Sequence, residues 1–524
     1  MSETGAAVLL GTLADAGVTT CFANPGTSEM HLVAALDAEP RTHAVLTLFE
    51  GVATGAADGY ARMAERPAAT LLHLGPGLAN GLANLHNARR AGTPVVNVVG
   101  DHARDHKPLD APLESDVDAI AGVVSARVHR STDVARLGED AADAVAAAYG
   151  PPPAISTLLV PADVAWSTGG ERGAPRPVAP VGRGMLDADG LESAAKALWS
   201  GEPCTLLLGG AGLRGEGLRA ARRIAAATGA RLLAECFPTR MERGAGRPAI
   251  DRLAYPGDAA RAQLDGTRHL VLVGARSPVT FFGYPGKEGD LVPAGAAVHG
   301  VTETGAAGGL ALEALADLVA SGTDPGPTAD LERPGVPTGE LTVWTAGQAV
   351  AALLPEGAVV VDESITAGAG LARPTVGSAP HDWLTLTGGA IGWGPPAATG
   401  AAVACPDRPV WNLQADGSAM YTLQALWTQA REGLDVTTVL FDNGAYAILR
   451  AELLGVGAEL AADSPARALL DLGSPRLDFV ALGTGMGVPS VRAQTADELV
   501  DALRRAAAEP GPHLVVAQVP PLVP

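Results

Sequence analysis

Asp416, Asn443, Glu50 and His73 lie far apart in the chain, and between them they carry the residue types that metal binding and acid–base chemistry need. Asp416 stands in Ala415-Asp416-Gly417-Ser418 and Asn443 in Asp442-Asn443-Gly444-Ala445. A carboxylate, an amide oxygen and a backbone carbonyl make a hard-oxygen donor set suited to Mg²⁺, an ion that keeps water and often bridges to a phosphate. Gly417 and Ser418 fall where a helix begins, so free N–H groups and a hydroxyl face one place, as a diphosphate requires. Taken singly, the same residues also read as a helix N-cap and an Asn-Gly turn. Glu50 closes the apolar run AVLTLF. It reads either as an acid at a helix N-terminus or as a buried carboxylate, whose pKa burial would raise. His73, in LLHLGPG, sits at a strand end and reads as a structural hydrogen-bonder or as an acid/base group.

The elements around these residues place them on sheet edges. PVWNLQ (409–414) is a strand, residues 419–431 repeat apolar side chains at helical spacing (Leu423, Leu426, Trp427), and VTTVLF (436–441) is a second buried strand. The loops carrying Asp416 and Asn443 follow parallel strands, so both open on the carboxyl edge of one sheet. The rest of the chain alternates in the same way, predicting an α/β fold of three doubly wound parallel-sheet domains. The first covers residues 1–168, with strands near 20–23, 44–49, 69–74, 94–100 and 154–161. A Pro/Gly-rich linker (169–184) leads to a middle domain at 185–320, with strands near 204–210, 230–235, 269–274 and 296–301. A second linker (321–339) precedes the third domain at 340–524. The first and third read as variations of one architecture. Residues 210–215 (GAGLRG) match G-x-G-x-x-G, with Glu235 downstream, a nicotinamide or flavin dinucleotide fingerprint. In so glycine-rich a chain the expectation is a turn that packs a helix on a strand, and no flavin.

Composition narrows the function classes. With 524 residues and 47% hydrophobic content the chain is large enough for several cores. A net charge of −20 argues against a general basic surface for nucleic acid. Cys21, Cys204, Cys236 and Cys405 are widely spaced with no CxxC, which predicts reduced thiols rather than a metal site. No basic leader precedes an apolar segment, and no apolar run approaches the roughly 18 residues of a membrane span, so the expectation is a cytoplasmic protein.

Together, ADG at 415–417 and DN at 442–443 resemble the motif of the thiamine-diphosphate-dependent enzymes, GDG followed at a fixed interval by an asparagine pair. Ala415 and Asp442 depart from it, while both metal-ligating side chains remain. The resemblance implies thiamine diphosphate and Mg²⁺ as cofactors, the metal held by Asp416, Asn443 and the backbone oxygen of Ala445, with Gly417, Ser418 and Tyr446 beside the diphosphate. FEGVATGAADGYAR (49–62) resembles the segment whose glutamate bonds the aminopyrimidine ring and favours its imino tautomer; Glu50 takes that role. Gly389-Ala390-Ile391 matches the segment that places a bulky aliphatic side chain beneath the cofactor, and Thr366 the segment at its diphosphate edge. Over nearly the whole chain the resemblance is to the benzoylformate decarboxylase and acetolactate synthase group. There Thr27, in Asn24-Pro25-Gly26-Thr27-Ser28-Glu29, supplies a small hydroxyl near the substrate, and His73 is an acid/base group. The second histidine of the decarboxylases is absent: Phe281 and Phe282 occupy its region. The glutamine of acetolactate synthases is absent as well, since Gly100-Asp101-His102 stands at its place. The resemblance implies a non-oxidative decarboxylase or carboligase acting on a 2-oxo acid, with an aldehyde or second 2-oxo acid as acceptor, in a homodimer or homotetramer whose cofactor lies between domain one of one subunit and domain three of another. The alternatives are an acetolactate-synthase-type carboligase, a catalytically silent, cofactor-binding partner subunit and a nucleotide-dependent oxidoreductase.

Overall fold

Long β-branched runs separated by helices build three sheets in the computed structural model, which describes residues 3–178, 182, 186–302, 307–458, 461 and 464–522. Part of the predicted first linker, and the boundary at 185, lie outside the described residues.

The first sheet has six strands: β1 (Thr20–Asn24), β2 (His43–Leu46), β3 (Ala68–Leu72), β4 (Val95–Asp101), β5 (Arg127–Arg130) and β6 (Ile155–Pro161). All pair in parallel, in the order β2-β1-β3-β4-β6-β5. The middle segment contributes β7 (Cys204–Leu208), β8 (Arg231–Ala234), β9 (Met241–Arg243), β10 (Asp251–Arg252), β11 (His269–Val273) and β12 (Ala297–Thr302). Five of these form the second sheet, in the order β10-β8-β7-β11-β12. The last segment contributes β13 (Val359–Glu363), β14 (His381–Thr385), β15 (Val410–Ala415), β16 (Val436–Asp442), β17 (Ser490–Ala493) and β18 (His513–Gln518).

The third sheet runs β17-β18-β16-β15-β13-β14-β9. Its last member, β9, comes from the middle segment and lies antiparallel on β14. Alternation of hydrophobic runs did not reveal it: three residues, MER, are too few to show a period. The short edge strands β5, β10 and β17 escaped for the same reason. The predicted helix over 419–431 is two pieces, Asp416–Ala419 and Ala425–Glu432, joined by a turn.

Domains one and three are clamped together by the helices Glu50–Ala64 and Gly394–Ala404. Small residues let the two backbones touch. A Cβ at Gly59 would lie 2.1 Å from the carbonyl oxygen of Ala397, and one at Gly400 would lie 1.8 Å from that of Ala56. At this seam the first helix carries an ion pair with no solvent exposure, Asp58 with Arg62 one turn on at 2.7 Å. Trp393 Nε1 donates to Asp58 at 2.7 Å, while Arg62 donates to the carbonyl of Thr385 at 2.8 Å and to Thr387 Oγ1 at 3.0 Å. Every charge and polar proton of the pair finds a partner, the condition under which burying it is tolerated. The seam thereby fixes the carboxyl edges of the first and third sheets relative to one another.

Candidate active site

Glu50 opens the helix Glu50–Ala64, with Phe49 still extended before it. Glu50 is 8% exposed, and its Oε2 accepts a hydrogen bond from Asn80 Nδ2 at 3.0 Å. Among the described residues Oε1 has no hydrogen-bond partner, which leaves one oxygen for a ligand. His73 follows β3 directly. Gly77, in the next turn, lies between the two groups: a Cβ there would be 2.9 Å from Glu50 Oε1 and 3.2 Å from His73 Cβ. The structure therefore brings Glu50 and His73 to one place.

Glu29 was not singled out in the sequence, and it is the residue that holds His73. The register of β1 on β3 sets Asn24 opposite Leu72, so the loop after β1 lies beside His73. Glu29 is fully buried, and its Oε2 lies 2.7 Å from His73 Nδ1 and accepts the N–H of Gly26 at 2.8 Å. Its Oε1 accepts the Ser28 hydroxyl at 2.6 Å, and that hydroxyl also lies 3.2 Å from His73 Nδ1. An ionised carboxylate can only accept, so the Nδ1 proton of His73 points at Glu29 and Nε2 is the free nitrogen. With its side chain 22% exposed, the imidazole can meet a ligand. Thr27, the predicted hydroxyl, is exposed, and Ser28 is the hydroxyl that touches His73. The signal that could have exposed Glu29 is its spacing: an acid two residues past Thr27 in a loop level with a histidine-bearing strand end.

On the third sheet, β15 and β16 pair in register up to Ala415 opposite Phe441, which brings the two predicted loops together. Asp416 Oδ2 accepts the N–H groups of Asn443 at 3.1 Å and Gly444 at 2.7 Å, and Oδ1 accepts that of Gly417 at 2.8 Å. Asn443 Oδ1 accepts the N–H of Ala445 at 2.9 Å. Burial pushes the Asp416 carboxyl up to about 6, against the lowering pull of those amides. Asp442, at the place of the family's first asparagine, is paired with Arg476 at 2.9 Å and so is turned to a structural use. Ser418 is buried and accepts from Gln414 Nε2 at 2.7 Å, and the ring of Tyr446 lies against Gly417. Among the described residues no three His, Cys, Asp or Glu side chains converge on one point. The oxygen set of Asp416, Asn443 and the Ala445 carbonyl, with one carboxylate and two neutral oxygens on adjoining loops, still fits Mg²⁺ by its chemistry.

Residues 389–392 lie on the loop after β14. Asn87 clasps Ala390 from domain one, donating to its carbonyl at 2.8 Å and accepting its N–H at 3.2 Å. Asn84 Nδ2 donates to the carbonyls of Gly51 at 2.8 Å and Gly392 at 3.3 Å, which puts the Glu50 turn and this loop on one seam. Glu363, at the end of β13, accepts the N–H groups of Gly392 and Gly394, each at 2.6 Å. Its burial pushes the carboxyl up to about 7. Ile391 packs on the cluster that includes Leu384, Leu386 and Trp393. Gly389 takes a left-handed φ of 73°. Thr366 is half-buried in the turn after β13. Among the described residues no hydrogen bond joins Glu50 or His73 to the Asp416 and Asn443 loops.

The glycine fingerprint at 210–215 forms a turn followed by the helix Gly215–Thr228, and more than packing lies there. A cavity of about 500 Å³ opens at the carboxyl edge of the second sheet, lined by Arg89, Arg90, Arg214, Glu235 and Arg276 among others. Burial pushes the Glu235 carboxyl up to about 7. His102 and His106, after β4, have ring centroids 5.4 Å apart, and His102 Nε2 is buried without a hydrogen-bond partner among the described residues.

Similarity to known proteins agrees with this arrangement. Residues 3–121 match the family described as thiamine pyrophosphate enzyme, N-terminal TPP binding domain, and residues 371–517 match the corresponding C-terminal TPP binding domain. The chain is 60% identical, over 99% of each chain, to the "Putative acetolactate synthase large subunit IlvX" of Mycobacterium tuberculosis. It is 30% identical to the benzoylformate decarboxylase of Pseudomonas aeruginosa, over 95% of this chain and 96% of that one. The solved structure of a thiamine diphosphate-dependent 4-hydroxybenzoylformate decarboxylase from Rhodococcus jostii superposes with a TM-score of 0.86 at 25% identity, covering 99% of both chains. With Glu50 and His73 on one edge and the Asp416 and Asn443 loops on another, the chain belongs to the thiamine-pyrophosphate-dependent enzyme family, in the group of decarboxylases and acetolactate synthases that act on 2-oxo acids.

Proposed function

We propose that this chain is a thiamine-diphosphate- and Mg²⁺-dependent enzyme that removes CO₂ from a 2-oxo acid and either releases the remaining acyl group as an aldehyde or joins it to an acceptor. The observation that carries this reading is the pairing of a free Glu50 oxygen with a His73 whose Nε2 is free, both beside Gly77. Bound thiamine diphosphate supplies a nucleophilic carbon and an electron sink. Asp416, Asn443 and the Ala445 carbonyl would hold Mg²⁺, Gly417 and Ser418 the diphosphate, and Gly389 to Ile391 the ring system. Glu50 holds a proton at the edge of the aminopyrimidine. His73, kept in one tautomer by Glu29, moves a proton at the substrate oxygen.

Carboligation of two 2-oxo acids is the second reading, favoured by the name of the 60%-identical relative. Mass spectrometry of products from a panel of 2-oxo acids, with and without aldehyde acceptors, separates the two. Aldehyde with CO₂, or a hydroxyketone formed only with an added aldehyde, marks the first reading, and a 2-hydroxy-3-oxo acid marks carboligation of two 2-oxo acids. Failure of every acid, with cofactor bound, marks a silent partner subunit.

The active form in this reading is a homodimer or homotetramer. Met30 and Leu48 near Glu50, and Met420, Tyr421 and Leu449 near the metal loops, are exposed, and a second copy would cover such apolar surface. Light scattering gives the mass. Mixing Glu50→Gln subunits with Asp416→Ala subunits tests whether the halves of a site come from different chains: regained activity means that they do. Among the described residues no helix is long and apolar enough to cross a membrane, which is compatible with a cytoplasmic site of action.

A further inference from the structure

The helix Ala447–Gly455 begins two residues after the Ala445 carbonyl of the proposed metal loop, and it carries Glu452 about one and a half turns along. Two tyrosine hydroxyls from the middle segment converge on that carboxylate. Tyr255 donates to Glu452 Oε1 at 3.0 Å and Tyr284 donates to Oε2 at 2.5 Å. The Tyr284 hydroxyl is pushed up to about 12, first by its bond to Glu452 and then by burial; burial and the same carboxylate raise Tyr255.

Tyr284 sits on an arm, residues 278–291, that is closed on itself. Thr280 donates its N–H to Gly289 at 2.8 Å and Leu291 to Pro278 at 3.1 Å. At the tip of this arm the ring of Phe281 lies so close over Gly389 that a Cβ there would be 2.3 Å from it. Phe281 in turn packs on Tyr255, with ring centroids 5.5 Å apart, and on Phe282 at 5.0 Å. Yet Phe281 and Phe282 remain 43% and 54% exposed. Among the described residues the arm meets the third domain through the Phe281 ring on Gly389 and through one hydrogen bond, that of Tyr284 to Glu452.

We propose that Glu452 is a positioning residue: with Tyr255 and Tyr284 it latches the helix after the proposed metal loop to the arm, and so sets how closely Phe281 stands over Gly389 and how much room a substrate tail finds there. The latch bonds neither the metal donors nor Glu50 and reaches the proposed cofactor loop only through the Phe281 ring on Gly389, so its expected effect is on which acyl group fits rather than on whether cofactor binds. For the identity of the ligand it rests on the 2-oxo acid reading above; for the latch itself it does not.

Hydrogen–deuterium exchange by mass spectrometry on the full chain tests the latch. In Glu452→Ala, exchange of residues 447–455 and 278–291 should rise together by about tenfold or more, the size expected when hydrogen bonds to a charged group are lost. Adding Tyr255→Phe and Tyr284→Phe to that variant should change nothing further, and Glu452→Gln should recover part of the protection. In turnover of 2-oxo acids with tails of graded size, Glu452→Ala should raise KM about tenfold for the best acid, flatten the preference for tail size, and leave kcat within about twofold. Affinity for thiamine diphosphate with Mg²⁺ should stay within about twofold of wild type. Unchanged exchange in Glu452→Ala, or additive effects of the tyrosine changes, would overturn the latch. A parallel fall of kcat and cofactor affinity, with tail preference intact, would overturn the positioning role. A wild type inert toward every acid defeats the activity reading instead, and the exchange data then decide the latch alone.

Discussion

The first and third sheets have the same strand order. Read from β5, the first runs β5-β6-β4-β3-β1-β2; read from β17, the third runs β17-β18-β16-β15-β13-β14 before β9 is added. Corresponding loops can therefore be compared one by one. After β3 comes His73, and after β15 comes Asp416. After β2 comes the turn with Glu50, and after β14 comes the loop Gly389 to Ile391. After β1 comes Glu29, which orients a histidine; at the end of β13 comes Glu363, which orients the backbone of the 389–394 loop. In the proposed function one scaffold is armed twice, with groups that would move protons on one copy and groups that would accept a metal and hold a ring system on the other. Architecture alone thus decides where chemistry can sit, and the side chains at five or six strand ends decide what it is.

That division of labour can be broken from either side. The largest effect should come from the third sheet. Asp416→Ala removes the one carboxylate of the proposed metal set, and the purified protein should retain no thiamine diphosphate. Retention equal to wild type would leave the third sheet without its assigned role.

Changes on the first sheet should spare binding and strike the chemistry. In Glu50→Gln, cofactor should still bind while exchange of its C2 proton, followed by NMR after acid quench, slows by roughly 10²–10⁴. His73→Ala should leave that exchange nearly untouched and slow turnover. If both changes slow exchange equally, Glu50 and His73 are not divided as described.

A smaller effect sharpens the Glu29 assignment. Glu29→Gln keeps the size but turns an acceptor-only group into one that also donates, so His73 can adopt the other tautomer. Turnover should fall about tenfold, with the acid limb of the pH–rate profile displaced, while cofactor affinity holds. An unmoved profile would make Glu29 a purely structural partner.

The gentlest probe is pH. Burial raises the Asp416 carboxyl from 3.8 to about 6, so in the metal-free protein its contribution to stability is present below the lower value and is lost as pH rises through the higher one. Mg²⁺ competes with that proton. Cofactor affinity in Mg²⁺, measured by fluorescence quenching, should fall about tenfold per pH unit below about pH 6 and be flat above it. A flat response down to pH 5 would place the metal elsewhere.

Much of this was legible in the sequence because it is periodic or local. Runs such as VTTVLF and AVLTLF announced the central strands, and the ADG and DN stretches announced their loops by residue type and spacing. What escaped was short or assembled at long range. Glu29 acquires its meaning only when β1 lies beside β3, forty-four positions from His73. Glu452 acquires its meaning from two tyrosines in another segment. The cavity behind the glycine fingerprint is made by side chains from domain one as well as the middle segment, a combination that no local pattern encodes. Ser28, the neighbour of Thr27, places its hydroxyl at His73, and sequence order does not tell which of two neighbours faces inward.

The three residues of β9 carry a lesson about modularity. Because Met241 to Arg243 close the open side of β14, the third sheet is finished by a piece of chain made long before the rest of it. A fragment starting at residue 340 would bare the full edge of β14, and bared edges recruit other strands. Swapping the middle segment for one from a relative would exchange part of the neighbouring sheet as well. The boundaries at which this chain can be cut, grafted or shuffled are therefore set by strand pairing and not by its linkers.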